Sequence, residues 1–188
     1  MRLFFTILLF SLLSMQGFSQ ANFSQKGFLF GVAAGVGPLY LRTTNGSLNS
    51  TATSLGPSIP NFKIGWSFTE RFSMYLHTPG VVYQANGSDR GLEAIAIGGQ
   101  YRALNRWWVM GATGLTFDAP AFYTVKKFDA NAFQFGAPAI ILGTGFDVWQ
   151  GKRAAIDVEY RFFYAKSEQE NGYRQGIHNA LLLGLTWY

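Results

Sequence analysis

The sequence predicts an all-β fold: an antiparallel up-and-down transmembrane β-barrel of eight strands, preceded by a cleaved signal peptide. Three observations lead there. Apolar and polar residues alternate with a period of two in run after run, the connections between runs are by turns short and long, and the chain opens on an export signal. The clearest run is Pro60–Thr69. Pro60, Phe62, Ile64, Trp66 and Phe68 point one way, and Asn61, Lys63, Gly65, Ser67 and Thr69 the other. Such alternation marks a strand with two unlike faces. In a soluble sheet the apolar face meets a core. Behind a secretion signal, with no amphipathic helix to cover it, lipid is the better partner for that face.

The leader is read from its own chemistry. Arg2 supplies the positive start, Leu3–Leu13 is apolar apart from Thr6 and Ser11, and Gly17 and Ser19 set small residues at the -3 and -1 positions for cleavage before Gln20. That apolar run is about half of the ~20 residues a spanning helix needs. The expected division is a signal peptide over 1–19, a short N-terminal segment over 20–25, and a barrel domain over 26–188. Gly27–Leu41 is the other long apolar stretch, but Pro38 and four glycines make it a strand with small inward residues rather than a helix.

Composition narrows the function classes. Cysteine is absent, which excludes a disulfide frame, a thiolate zinc site, a cysteine nucleophile and a lipidated N-terminal cysteine. The 18 Phe, 9 Tyr, 5 Trp and 22 Gly suit strands and tight turns. The net charge of +5 is scattered along the chain, whereas a nucleic-acid binder gathers its basic residues on one element.

Eight runs follow in order. Lys26–Leu41 sets Phe28, Phe30, Val32, Ala34 and Val36 against Gly31, Ala33, Gly35 and Gly37. Pro60–Thr69 is second, and the third starts at Arg71 with Phe72, Met74 and Leu76 on one face. Leu92–Ala103 opposes Ile95, Ile97 and Tyr101 to Ala94, Ala96, Gln100 and Arg102. Arg106–Asp118 aligns Trp107, Val109, Leu115 and Phe117. Ala132–Trp149 changes parity between Phe135 and Ile140, which a bulge near Pro138 reconciles. Ala154–Tyr164 turns Ile156, Val158, Tyr160, Phe162 and Tyr164 outward, and Gly176–Tyr188 keeps Leu181, Leu183, Leu185 and Trp187 in step.

The connections at Glu70, Leu104-Asn105 and Gln150-Gly151 are short. Those over 42–59, 79–91, 119–131 and 166–175 are long and polar. Short turns on one rim and long loops on the other is the pattern of an outer-membrane barrel. The even strand number puts both termini on the short-turn, periplasmic rim. Aromatic residues mark that rim: Trp66, Phe68, Phe72, Tyr101, Trp107, Trp149 and Trp187 form an expected girdle, with Trp108 beside it and Tyr40, Phe117, Phe133 and Tyr164 at the far ends.

The signal, the eight runs, the long–short alternation and the closing Leu-Thr-Trp-Tyr resemble the small eight-stranded outer-membrane barrels of the OmpX, OmpW and OmpA-transmembrane-domain kind. The Phe-Ser-Gln cleavage region and the aromatic end are similar to uncharacterised barrel proteins of Bacteroidetes-type bacteria. The resemblance spans Lys26–Tyr188 and is one of pattern, without a diagnostic motif. It implies a Gram-negative outer-membrane location with lipid and lipopolysaccharide around the wall. It also implies that Leu183, Leu185, Trp187 and Tyr188 serve as the recognition signal for the barrel-assembly machinery.

With the apolar face outermost, the inner face is expected to carry Lys63, Arg71, His77, Glu93, Gln100, Arg102, Gln134, Asp157, Glu159 and Arg161. An eight-stranded barrel is narrow enough for side chains to fill, and an unpaired buried ion is costly. Lys63, Arg71, Arg102, Asp157, Glu159 and Arg161 are therefore read as an ion-paired plug, with a narrow polar pore as the competing reading. Asp157 and Glu159 share a face as acid–base carboxylates would, but Arg161 beside them favours charge compensation. His77 and His178 stand in no metal-ligand spacing. Ser73 and His77, four residues apart in a strand, are about 13 Å apart, too far for a nucleophile–base contact. No catalytic residue, cofactor or metal ligand is expected. The Asn-x-Ser/Thr sites at Asn22, Asn45, Asn49 and Asn86 read as loop chemistry, Thr43–Ser54 as a mobile low-complexity loop, and Lys126-Lys127 with Phe122, Tyr123 and Phe128 as a solvated loop tip.

The expected role is structural or surface-interacting, carried by four long extracellular loops that could meet an extracellular protein, in a monomer that binds no nucleic acid. The alternatives are a narrow pore for small solutes or ions gated by Lys63, Arg102 and Glu159, a lipid-modifying enzyme such as a lipid A acyl hydrolase or transferase, and a secreted lipocalin-like binder of an apolar ligand.

Overall fold

Ten strands, among the residues described, alternate outward and inward side chains to build one closed antiparallel wall. The computed structural model describes residues 25–59, 61–85, 87–123 and 132–188. The expected signal peptide, Asn22, Pro60, Asn86 and Lys126-Lys127 with Phe128 lie outside the described residues. The strands are β1 (Gly27–Asn45), β2 (Leu48–Ser58), β3 (Phe62–Ser67), β4 (Phe72–Thr78), β5 (Gly80–Ala85), β6 (Ser88–Arg102), β7 (Trp107–Pro120), β8 (Gln134–Gln150), β9 (Ala154–Gln169) and β10 (Gly172–Trp187). β2 and β3 both pair with β1, and β4 and β5 both pair with β6, so each couple is one interrupted stave. β10 pairs back onto β1, and the wall closes with eight staves.

Closure needs the backbones of β1 and β10 to approach closely. Gly37 makes that possible: a Cβ there would lie 1.8 Å from the Asn179 carbonyl oxygen. The tip between β1 and β2 turns at Gly46, whose φ of 58° is in the left-handed region that glycine adopts at no steric cost.

The wall is inverted relative to a soluble protein. Phe62, Ile64, Met74, Leu76, Ile95, Ile97, Leu115, Leu142, Val158, Leu181 and Leu183 are all exposed, while Lys63, Asp157, Glu159 and Arg161 are buried. An apolar band of this extent meets lipid, since a soluble monomer would not leave it open to water. The lipocalin-like alternative is thereby corrected, because it required the apolar set to line the interior.

Three of the four expected long loops are strand. β1 and β2 continue as a ladder to Asn45–Leu48, β5 and β6 to Ala85–Ser88, and β9 and β10 to Gln169–Gly172. Thr43–Ser54, read from sequence as a mobile loop, is a hairpin. The reason is physical: above the lipid both faces of a strand meet water, so the two-residue alternation vanishes while backbone pairing goes on. In β8 one extra residue is accommodated at Ala137–Pro138, between the pairs Gly114–Ala139 and Thr116–Gly136. A second bulge at Asp147–Trp149 turns both Val148 and Trp149 outward.

One part of the wall is not closed by a ladder. Among the described residues β2 and β5 lie side by side without pairing. Ser58 Oγ donates to the Gly80 carbonyl at 3.0 Å across the gap. Pro57 and Pro79 have no N–H to give there.

Candidate functional site

The lumen is filled in three layers. Nearest the short turns, Arg102 donates to Asp147 at 2.7 Å and to the Gln25 side chain at 2.9 Å. Trp108 Nε1 and Gln150 Nε2 donate to the same Asp147 carboxylate at 3.1 and 2.7 Å. Above it, Arg161 Nε meets Glu159 Oε1 at 2.5 Å and Lys63 Nζ stands 3.6 Å from Glu159 Oε2. The other end of Arg161 donates to the Asn61 side-chain oxygen, and Asn61 is itself held by a 2.8 Å bond to the Ser58 carbonyl. Lys63 also lies 4.9 Å from the Trp108 ring centroid, a cation–π distance.

An apolar cluster that includes Leu39, Val81, Leu92, Ile141 and Phe163 follows, all of them buried. It sets apolar side chains across the midsection of the lumen.

At the mouth, fully buried Asp118 accepts from Tyr83 OH, Arg90 Nε and Arg174 NH1, each at 2.6 Å. Arg174 reaches on to Thr43 at 3.1 Å. Five staves, those carrying β1, β5, β6, β7 and β10, are thus tied through Asp118 and Arg174. Tyr83 lies above the outward apolar band. Burial, reinforced by the neighbouring carboxylate, pushes its phenol above the ordinary range, so it remains the donor.

Among the sequence-predicted lumen residues, His77 and Gln100 are buried and Gln134 is half-buried. Lys63, Glu159, Arg161 and Arg102 are buried and hydrogen-bonded or ion-paired. Asp157 is buried, has no cation within 4.0 Å among the described residues, and faces Asp147 across the ladder. Arg71 is corrected: it sits exposed in the β3–β4 turn, because the inward parity of β4 begins only at Ser73. Glu93 is corrected too, since Leu92 and Ala94 take the inward positions on either side of it. Ser73 bonds Ser67 at 2.7 Å, and no group of potential metal ligands occurs among the described residues.

The seven girdle residues are all exposed at the short-turn rim, with Phe68 stacked on Phe72 and Trp187 on Phe30. Trp107 points outward, whereas Trp108 is buried inside at the centre of the lower network. Alternation alone separates them, and it equally places Asp147 inside, between outward Phe146 and Val148. Leu183 and Trp187 face outward, and Tyr188 turns inward against the core. The Asp118–Arg90–Arg174–Tyr83 cluster left no sequence signal, because its members come from β5, β6, β7 and β10.

No family model matches the chain, and no curated protein matches it. Among solved structures, Neisserial surface protein A superposes with a TM-score of 0.52 at 17% identity, over 86% of this chain and 96% of that one. The fold is that of a small outer-membrane barrel. The attachment invasion locus protein Ail of Yersinia pestis aligns over 86% of this chain and 98% of its own, with a TM-score of 0.48 at 12% identity. OprG of Pseudomonas aeruginosa aligns over 88% and 97%, with a TM-score of 0.44 at 11% identity.

Proposed function

We propose that this chain is an integral outer-membrane protein, both termini periplasmic, that acts as a surface-interaction module rather than a channel. The observation that carries the reading is the free edge of β2. Among the described residues, Leu48 to Leu55 of this strand pair only with β1, both faces are exposed, and Leu48 and Leu55 are about three-quarters open at 75% and 73%. An unpaired strand edge is a template for another extended chain, so the partner it fits is an extended segment of an extracellular protein. The filled lumen supports the same reading, because the three layers leave the outer surface as the working one. The wall would sit among lipid and lipopolysaccharide, with Leu183, Leu185, Trp187 and Tyr188 offered to the barrel-assembly machinery during insertion.

The test is adhesion of bacteria displaying the protein to immobilised fibronectin, laminin and collagen, alongside a variant whose residues 43–54 are replaced by a two-residue turn. Heat-modifiable migration on a detergent gel verifies that both proteins fold. Attachment that survives loss of the hairpin, or no attachment by the parent, removes the reading. Planar-bilayer recordings are expected to show no steady conductance, and a stable open channel would favour solute passage instead.

A further inference from the structure

Beneath the aromatic girdle runs a ring of basic side chains that the surface-interaction reading leaves unused. Lys26 leads into β1, Arg71 lies in the β3–β4 turn, Arg106 in the β6–β7 turn, and Lys152 and Arg153 in the β8–β9 turn. Arg106 is half-buried and the other four are exposed. Among the described residues none of the five has a carboxylate within 4.0 Å, whereas Lys63, Arg102 and Arg161 of the lumen and Arg90 and Arg174 of the mouth are ion-paired.

The distribution of charge sharpens this. In the lumen Lys63, Arg102 and Arg161 are balanced by Asp147, Asp157 and Glu159, and along the mouth and long connections six basic residues are matched by six acidic ones. The +5 of the chain therefore reduces to Arg2 of the leader and a net +4 on this rim, where Glu70 is the single acid.

The backbone under three of these residues is held in place. The carbonyls of Arg71, Arg106 and Arg153 accept bonds from the N–H groups of Arg102, Asp147 and Tyr188 at 2.8, 2.9 and 2.8 Å, which fixes each turn to the next stave. Arg71 immediately precedes Phe72, Arg106 precedes Trp107, and Lys26 stands two residues before Phe28. At ~3.3 Å per residue, the charges lie one short step beyond the rings that mark the headgroup layer. That is the depth of lipid phosphates.

We propose that this rim binds the phosphate headgroups of anionic phospholipid, of the phosphatidylglycerol type, in the periplasmic leaflet. The proposal rests on placing the short turns on the periplasmic side. Guanidinium groups chelate phosphate oxygens in pairs. A ring with net positive charge and one acid favours a headgroup lacking the ammonium that a zwitterionic lipid would bring against it. The effect is to anchor the barrel at a fixed depth and to gather anionic lipid around its lower edge.

The test uses the barrel refolded in detergent and titrated with phosphatidylglycerol and with phosphatidylcholine, bound lipids being counted by native mass spectrometry. Phosphatidylglycerol is expected to bind preferentially, by roughly fivefold for each basic residue engaged. The preference is expected to collapse in the variant Arg71→Gln, Arg106→Gln, Lys152→Gln, Arg153→Gln, whose folding is read from its heat-modifiable band. Should that variant not fold, the parent alone decides, because its preference must fall when salt is raised from about 0.02 M to about 0.5 M. Equal binding of the two lipids, or a preference indifferent to salt, overturns the proposal. Retention on peptidoglycan sacculi without any lipid preference overturns it as well. Orientation is measured apart, with Lys152→Cys and a membrane-impermeant maleimide. Labelling only after lysis supports the periplasmic leaflet. Labelling of intact cells overturns the sidedness of both readings while the lipid titration still reports phosphate binding.

Discussion

Glu159→Ala probes whether the plug is dry. In the wild-type barrel the Glu159 carboxylate is fully buried, with Arg161 at 2.5 Å and Lys63 at 3.6 Å, their side chains 2% and 5% exposed. Removing it leaves two buried like charges without the carboxylate they share. Breaking a buried pair by deleting one partner costs about 3–5 kcal/mol, most of it the desolvation of what remains. Lys63→Met is the contrasting change. It takes away the longer contact and a cation–π contact with Trp108 but leaves Glu159 with Arg161, so the expected loss is about 1 kcal/mol. Both are read by urea unfolding in lipid vesicles, followed by tryptophan fluorescence, with the heat-modifiable band reporting the folded fraction. A loss below about 1 kcal/mol for Glu159→Ala, the value of an exposed pair, would refute the reasoning. It would mean that water reaches these charges, and the solute-passage reading would then regain its footing.

Three further outcomes are expected. Asp118→Asn removes the charge that Tyr83, Arg90 and Arg174 share, so it should cost about 2–3 kcal/mol and speed amide hydrogen exchange in β5, whose other edge has no ladder. Gly37→Val should yield no heat-modifiable band, since its Cβ would lie 1.8 Å from the Asn179 oxygen. Trp108→Ala should cost about 3–5 kcal/mol through the cavity it leaves, against about 1 kcal/mol or less for Trp107→Ala. In single-tryptophan barrels, brominated lipid should quench Trp107 and spare Trp108, and equal quenching would contradict the inward placement.

Much of the wall is legible in the sequence, because lipid on one side and a polar lumen on the other impose a two-residue period. That period separates outward Phe62 and Ile64 from inward Lys63. Applied strictly, it also puts Asp147 and Trp108 inside and Glu93 outside. It fails where its cause fails. Above the membrane Asn45–Ser54 meets water on both faces, so paired strands look like a loop.

By itself, then, the sequence determined the strand period, the short connections, the aromatic rim and the residues available to neutralise one another. Each depends on a residue and its near neighbours in the chain. Only the tertiary structure decided the stagger between staves, and with it which charges meet. It brought Arg161 to Asn61 across 100 positions and Arg174 to Thr43 across 131. Among the described residues it also left β2 with an open edge beside β5. The stagger is set by barrel closure, a condition on all eight staves at once, and no local pattern encodes it.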